Sequence, residues 1–424
     1  MGNMHAVISP EPTHRGRASR YVRAMLIRTA HTDTDLLIIG GGVMGCATAL
    51  FALQIDPTLS VRVLEPDPTY ARASSALSAG SIRQQFSTAL NVQMSQFGLP
   101  YVAQPETLLA VDGEPAPSTG FIESGYLFLA TAAGMPVLQA NHVVQRELGA
   151  PVALLSPAEL AQRFAWLKTD GLAGASLGLG GEGWFDGYMY TRALRAKAQS
   201  LGAVFSTARA TALERAAGRI THALTDTGER IAAAAFVNAA GPWARSVAAM
   251  AGIELPVFAR RRTVFALRCA TAIGHTPLVI DTSGLWFRSE GHSGAQFIAG
   301  WGPREEDDAD DLPLEPELQA FDEHVWPTLA ERVPAFEALR VEHAWAGYYE
   351  FNPIDHNALM GLHPACENLY FINGFSGHGL QHAAAAGRGL AELILHGEYR
   401  SLDLSPLSVA RLVEGRRYVE RNII

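Results

Sequence analysis

Two glycine-rich turns carry the chemistry that this sequence announces. Gly40-Gly41-Gly42-Val43-Met44-Gly45 and Gly374-Phe375-Ser376-Gly377-His378-Gly379 each follow an apolar, strand-like run and open a helix-like one. Together they read as the two ends of one bound dinucleotide. In the first turn Gly40 permits the tight bend, Gly42 lets backbone amides approach a diphosphate, and Gly45 allows close helix packing. Val43 and Met44 begin a helix whose unpaired N–H groups and dipole favour negative charge. The next strand, Val61-Arg62-Val63-Leu64, ends in Glu65, twenty residues beyond Gly45. A carboxylate there takes ribose hydroxyls and repels a 2′-phosphate. Gly178-Leu179-Gly180-Gly181-Glu182-Gly183 has the same spacing, but it lacks a good preceding strand and runs into Trp184-Phe185-Asp186, so it reads as a loop.

Other residues suit a ligand lying between the two turns. The stretch from Ser74 to Arg83 is small and hydroxyl-rich, and Ser74, Ser75, Ser78 and Gly80 offer hydroxyls and amides to phosphate and alcohol oxygens. Ala210 closes a strand-like segment over 203–210, and Phe236–Trp243 is a buried strand ending in the small residues Ala239, Ala240 and Gly241 before Trp243. Small residues let backbone lie against a flat ligand. Arg83, Arg288 and one of Arg260, Arg261 and Arg262 are candidates for gripping a carboxylate, which a guanidinium does bidentately. Tyr348 and His378 are candidates for shaping a pocket or managing a proton, and for Tyr349 a packing role is at least as good a reading.

The elements that must position these residues alternate in kind. Up to Glu65 the pattern is β-α-β; from Gly125 to about Lys168 an excursion interrupts it; a helix over 188–201 and a hairpin over 212–226 resume it. From Pro256 to Gly302 the alternation is that of antiparallel strands. The acidic run Glu305–Asp311 contains neither histidine nor the turn glycine of a calcium loop, so it reads as a solvated loop and no metal site is expected. At 424 residues, with 48% hydrophobic residues, the chain can bury large cores in two domains. A net charge of −9 argues against nucleic acid as a partner. No apolar run is long enough to span a membrane, and three cysteines without metal spacing fit a reducing compartment. Residues 1–33 hold five arginines and one acid before Asp33, and they are set aside as a flexible basic arm. The expected location is cytoplasmic and soluble, with organellar targeting by the arm the less favoured alternative.

The two turns, Glu65, the serine-rich loop, Asn238-Ala239-Ala240-Gly241-Pro242-Trp243, Gln84-Gln85-Phe86-Ser87, Trp345-Ala346-Gly347-Tyr348-Tyr349 and Asp403-Leu404-Ser405-Pro406 resemble the D-amino-acid oxidase superfamily of flavoproteins, in its sarcosine oxidase and dimethylglycine dehydrogenase branch. The resemblance spans residues 34–424. It implies an α/β fold: a Rossmann-like, glutathione-reductase-type FAD-binding domain over 34–110, 171–255 and 345–400, a discontinuous antiparallel-sheet substrate domain over 111–170 and 256–344, and a tail over 401–424. FAD is then expected in an extended pose, its adenine end at Gly40 to Glu65 and its isoalloxazine by Gly347 and by Gly374, Gly377, His378, Gly379, Leu380 and Gln381. A helix opening near Gly379 would direct its positive end at the flavin carbonyl where charge accumulates on reduction.

In that branch a secondary or tertiary amino acid or amine gives a hydride to the flavin, and the imine hydrolyses. The chain departs from the branch in ways that bear on its chemistry. Gln381 stands where sarcosine oxidases have a lysine that holds the substrate carboxylate, which weakens the case for sarcosine itself. Lys168 and Lys197, the two lysines of the chain, lie in no flavin motif, so oxygen is expected to be a poor electron acceptor beside a quinone or another carrier. With no histidine in the Ser74–Ser81 loop and no cysteine near Tyr348, FAD is expected to be non-covalent. Two alternatives stay open: a largely non-catalytic flavoprotein assisting assembly of a respiratory complex, as one relative in the branch implies, and a catalytic subunit that needs a protein partner in a hetero-oligomer.

Overall fold

A computed structural model describes residues 34–422. The basic arm of residues 1–33 lies outside the described residues. The framework is a six-stranded sheet in the order Leu359–Leu362, Leu369–Asn373, Ala235–Asn238, Leu36–Ile39, Val61–Leu64, Val204–Ser206. All neighbours are parallel except the first pair. Leu36–Ile39 is buried at every position, as a central strand covered on both faces must be, and its run of four apolar residues follows from that.

Two helices cover one face of this sheet, Val43–Ile55 and Gly379–His396. They cross at close range because small residues meet: a side chain on Gly387 would put its Cβ 2.6 Å from the Cβ of Ala47. Both begin at a glycine turn, so the packing that joins the helices also brings the two turns, distant in sequence, to one place. The second helix ends at Gly397, in the left-handed conformation (φ +72°) that commonly closes a helix.

The second layer is an eight-stranded sheet whose longest strands, Phe258–Cys269 and Leu339–Phe351, pair antiparallel along their length, with Arg260 opposite Tyr349. Phe265, Phe287, Phe297 and Phe336 fill the core beneath it. The sheet also takes in Gly174–Gly178, which pairs with Tyr126–Ala130, and the segment 345–351. Both segments fall in sequence ranges assigned above to the nucleotide-binding unit. Apolar alternation shows that a segment is a strand but not which sheet it joins. Gly174–Gly178 also corrects the reading that no strand precedes the Gly178–Gly183 repeat. That repeat nevertheless holds no ligand turn, because buried Glu182 fills it and accepts from the backbone N–H of Gln84 at 2.7 Å and of Tyr126 at 3.1 Å.

The acidic run departs from expectation at one residue. The Asp308 side chain is buried, 5% exposed, between the guanidinium groups of Arg260 (3.2 Å) and Arg262 (2.6 Å). Among the described residues no helix is long and apolar enough to cross a membrane.

Candidate active site

A cavity of about 540 Å³ runs from the first glycine turn to the second. At its near end Gly40 adopts φ +106°, and a Cβ there would stand 2.4 Å from the carbonyl oxygen of Ala239. A Cβ on Gly45 would meet the carbonyl oxygen of Gly40 at 1.9 Å, so Gly45 serves packing and does not line the cavity. A Cβ on Gly42 would meet only the Ser75 hydroxyl, at 4.0 Å, because that face opens onto the cavity. Gly42 is the N-cap of helix Val43–Ile55 and supplies no side-chain cap, which leaves the first amides free for an anion. Glu65 takes the backbone N–H of Gly41 on one oxygen and that of Asp67 on the other, each at 2.9 Å. Burial raises its pKa against those two bonds.

Along the middle wall lie Val43, Met44, Ser74, Ser75, Ser78, Ala210, Ala240, Gly241 and Trp243. The hydroxyls of Ser74 and Ser75 are buried without a partner among the described residues, which costs free energy unless a ligand supplies the bond. Gly80 is not at the wall. Its φ of +62° turns the chain so tightly against Phe185 that a Cβ would stand 2.0 Å from that carbonyl oxygen.

At the far end stand Gly347, Tyr348, Tyr349 and Glu350 of the long strand, Gly377, His378, Gly379, Leu380 and Gln381 of the second turn, and Arg83. Gly377 (φ +91°) must be glycine, since a Cβ would stand 2.3 Å from the Tyr349 hydroxyl. Gly374 sits behind the wall and donates its N–H to Glu350 at 3.2 Å. The Tyr348 hydroxyl donates to the Leu312 carbonyl at 2.8 Å and that of Tyr349 to the Ser376 carbonyl at 2.6 Å. His378 Nε2 is buried without a partner among the described residues. Burial first, then the charge of Arg83, holds the pKa of His378 down at about 3, so its imidazole is neutral.

The candidate arginines separate. Arg83 is buried at the cavity wall, its guanidinium 3.9 Å above the Phe86 ring and donating to the carbonyls of Gln85 and Asn422. Among the described residues no carboxylate forms an ion pair with it. Arg288 is equally buried but lies behind the wall, donating to the Ala79 carbonyl at 2.9 Å, paired with Glu290 and stacked on Trp184. Arg260 and Arg261 are held by Asp308, Asp310 and Glu317. Arg262 reaches the lining while bound to Asp308.

Sequence reasoning passed over Glu350. Its signal was a single acid in the otherwise apolar and aromatic stretch Ala344–Phe351. Gly41 was also missed, and a Cβ there would press within 2.7 Å of Glu65. Buried unpartnered hydroxyls, an open glycine face at a helix start, a fixed carboxylate and an elongated cavity fit an extended FAD.

The comparisons agree with that fit. The model of the DAO family, described as FAD dependent oxidoreductase, matches residues 35–393. FAD-dependent oxidoreductase domain-containing protein 1 of Xenopus laevis is 42% identical over 92% of this chain and 85% of its own length. Mitochondrial sarcosine dehydrogenase of Homo sapiens is 24% identical over 87% of this chain and 40% of its own. Among solved structures, L-proline dehydrogenase from P. horikoshii superposes with a TM-score of 0.77 at 24% identity, covering 91% of this chain and all of that one.

Proposed function

This chain belongs to the DAO family of FAD dependent oxidoreductases, and on that premise we propose that it oxidises a C–N bond of a secondary or tertiary amino acid or a related amine. When bound, the flavin supplies the acceptor for a hydride leaving the carbon beside nitrogen, and the resulting imine hydrolyses in water. The observation that carries the reading is Arg83, a buried cation at the cavity wall with no carboxylate paired to it among the described residues. A buried charge is costly until it is paired. Two backbone carbonyls and the Phe86 ring fix the guanidinium, so a substrate carboxylate finds a fork already oriented.

The other residues at this end suit an amine. Neutral His378 borders this end of the cavity without adding a second positive charge beside Arg83. The aromatic wall of Tyr348 and Tyr349 excludes water from the reacting carbon. L-proline dehydrogenase and sarcosine dehydrogenase, named for a cyclic and an N-methylated amino acid, support this substrate class.

The test is anaerobic mixing of the flavin-loaded protein with N-methylated amino acids, cyclic imino acids and opine-like amines while the oxidised flavin band near ~450 nm is followed. Bleaching by one class supports the reading and names the substrate class. No bleaching by any overturns it in favour of a non-catalytic or partner-dependent flavoprotein.

A further inference from the structure

Glu350 stands apart from the other acids of the site. Its carboxyl lies at the end of the cavity held by the second glycine turn: one oxygen accepts the Gly374 N–H at 3.2 Å, and the other would be 3.3 Å from a Cβ on Gly379. The oxygen that accepts the Gly374 N–H also faces the Gly241 turn, 3.8 Å from where a Cβ on that residue would lie. The side chain is half-buried, and the cavity is what it lines. Among the described residues no cation pairs with it. A ligand filling the cavity would therefore remove the carboxyl's remaining water and leave it beside whatever charge the ligand carries.

We propose that Glu350 takes up one proton when the bound flavin is reduced and releases it on reoxidation, coupling the redox potential to pH. The inference rests on the placement of the flavin ring at the second glycine turn. Two electrons entering the cofactor bring negative charge into this end of the cavity, and a neighbouring carboxylate is repelled by it. The carboxyl answers by binding a proton from solvent, one more per two electrons than the site would bind without it.

The surroundings suit this role. Burial pushes the Glu350 carboxyl up to about 7, opposed only by the N–H groups of Gly374 and Phe375. Charged and titratable groups on the elements packed against it do not intervene. On the paired strand, Arg260 is committed to Asp308 and Asp310. On its own strand Tyr348 and Tyr349 donate their hydroxyls to carbonyls. His378 at the second turn is neutral, and burial likewise holds His382 on the following helix well below its ordinary value. Gly241–Trp243 and the start of helix Val43–Ile55 carry no charge.

The experiment is a spectroelectrochemical titration of the flavin-loaded full chain from pH 6 to pH 9, with Glu350→Gln alongside. One additional proton per two electrons is a tenfold change in the reduction equilibrium per pH unit, or about 30 mV per pH unit for a two-electron couple. Above about pH 7 the wild type is expected to fall more steeply than the variant by that amount, and below it the two run parallel. Parallel lines throughout overturn the proposal. If the variant does not keep its flavin, proton uptake on mediated reduction of the wild type, read by an indicator dye, decides. One proton more at pH 8 than at pH 6 supports the role, and equal uptake overturns it. The electrode supplies the electrons, so either result is independent of whether any amine is a substrate.

Discussion

The side-chain oxygen of Gln381 accepts the backbone N–H of Arg83 at 2.8 Å. The bond joins the helix that opens at the second glycine turn to the loop that carries the buried arginine, 298 residues earlier. The Ser95 hydroxyl adds a second donor to the same oxygen at 3.3 Å. Where the resemblance leads one to expect a lysine, this chain has a residue that holds the backbone at Arg83, the cation proposed to meet the substrate carboxylate.

Gln381→Ala should thus act through Arg83. The buried N–H left without an acceptor costs about 1–3 kcal/mol, and the displaced guanidinium should raise KM for a carboxylate substrate more than it lowers kcat. A thermal melt beside steady-state kinetics tests this; an unchanged KM would detach Gln381 from the site.

Arg83→Ala should reduce kcat/KM by roughly 10²-fold with flavin content unchanged, if the fork holds the carboxylate in the transition state. Arg288→Ala makes the useful contrast. Its guanidinium holds Ala79 and Glu290 from behind the wall, so the expected loss is in melting temperature. Equal kinetic effects at the two arginines would refute the assignment.

The two glycines of the first turn should fail differently. Gly42→Val projects into the cavity, where the nearest atom to a Cβ is the Ser75 hydroxyl at 4.0 Å; a folded protein without flavin is expected. Gly45→Val drives a side chain into the Gly40 carbonyl, and little folded protein should be recovered. Circular dichroism and the ratio of flavin to protein absorbance separate the outcomes.

Acid should destabilise the fold through His378. Its folded pKa, about 3, lies below the ordinary value of 6.5, so between those values the unfolded chain binds more protons and stability falls as pH falls. The slope from this residue is about 1.4 kcal/mol per pH unit. His378→Asn should flatten the decline of melting temperature between pH 6.5 and pH 4.5, measured on protein stripped of substrate; an unaltered decline would show that other groups carry it.

Reoxidation of the reduced flavin by air should be slow and by a quinone fast. Lys197 donates to the Ala110 carbonyl at 2.6 Å, and neither it nor Lys168 lines the cavity. Stopped-flow mixing of the reduced protein with each acceptor measures both rates, and rapid peroxide release in air would contradict the expectation.

The sequence by itself determined the end of the cavity proposed to take the nucleotide. Gly40, Gly42, Gly45 and Glu65 lie within one β-α-β unit, where local spacing dictates geometry: a turn, a helix start and a strand end are fixed by a few consecutive dihedrals. The strand Leu36–Ile39 and the helix Val43–Ile55 fall where the apolar run and the small residues put them. Tertiary structure alone decided the other end. Arg83 and Arg288 are both arginines in strand-rich surroundings, and only the packing of the serine-rich loop against the second sheet puts one at the cavity and the other behind it. Glu350 and Asp308 read as ordinary acids in the chain; partial burial of one beside the second glycine turn, and burial of the other between Arg260 and Arg262, depend on contacts between segments distant in sequence. Desolvation and pairing arise only when such segments close around a group, so they leave no local pattern to be read.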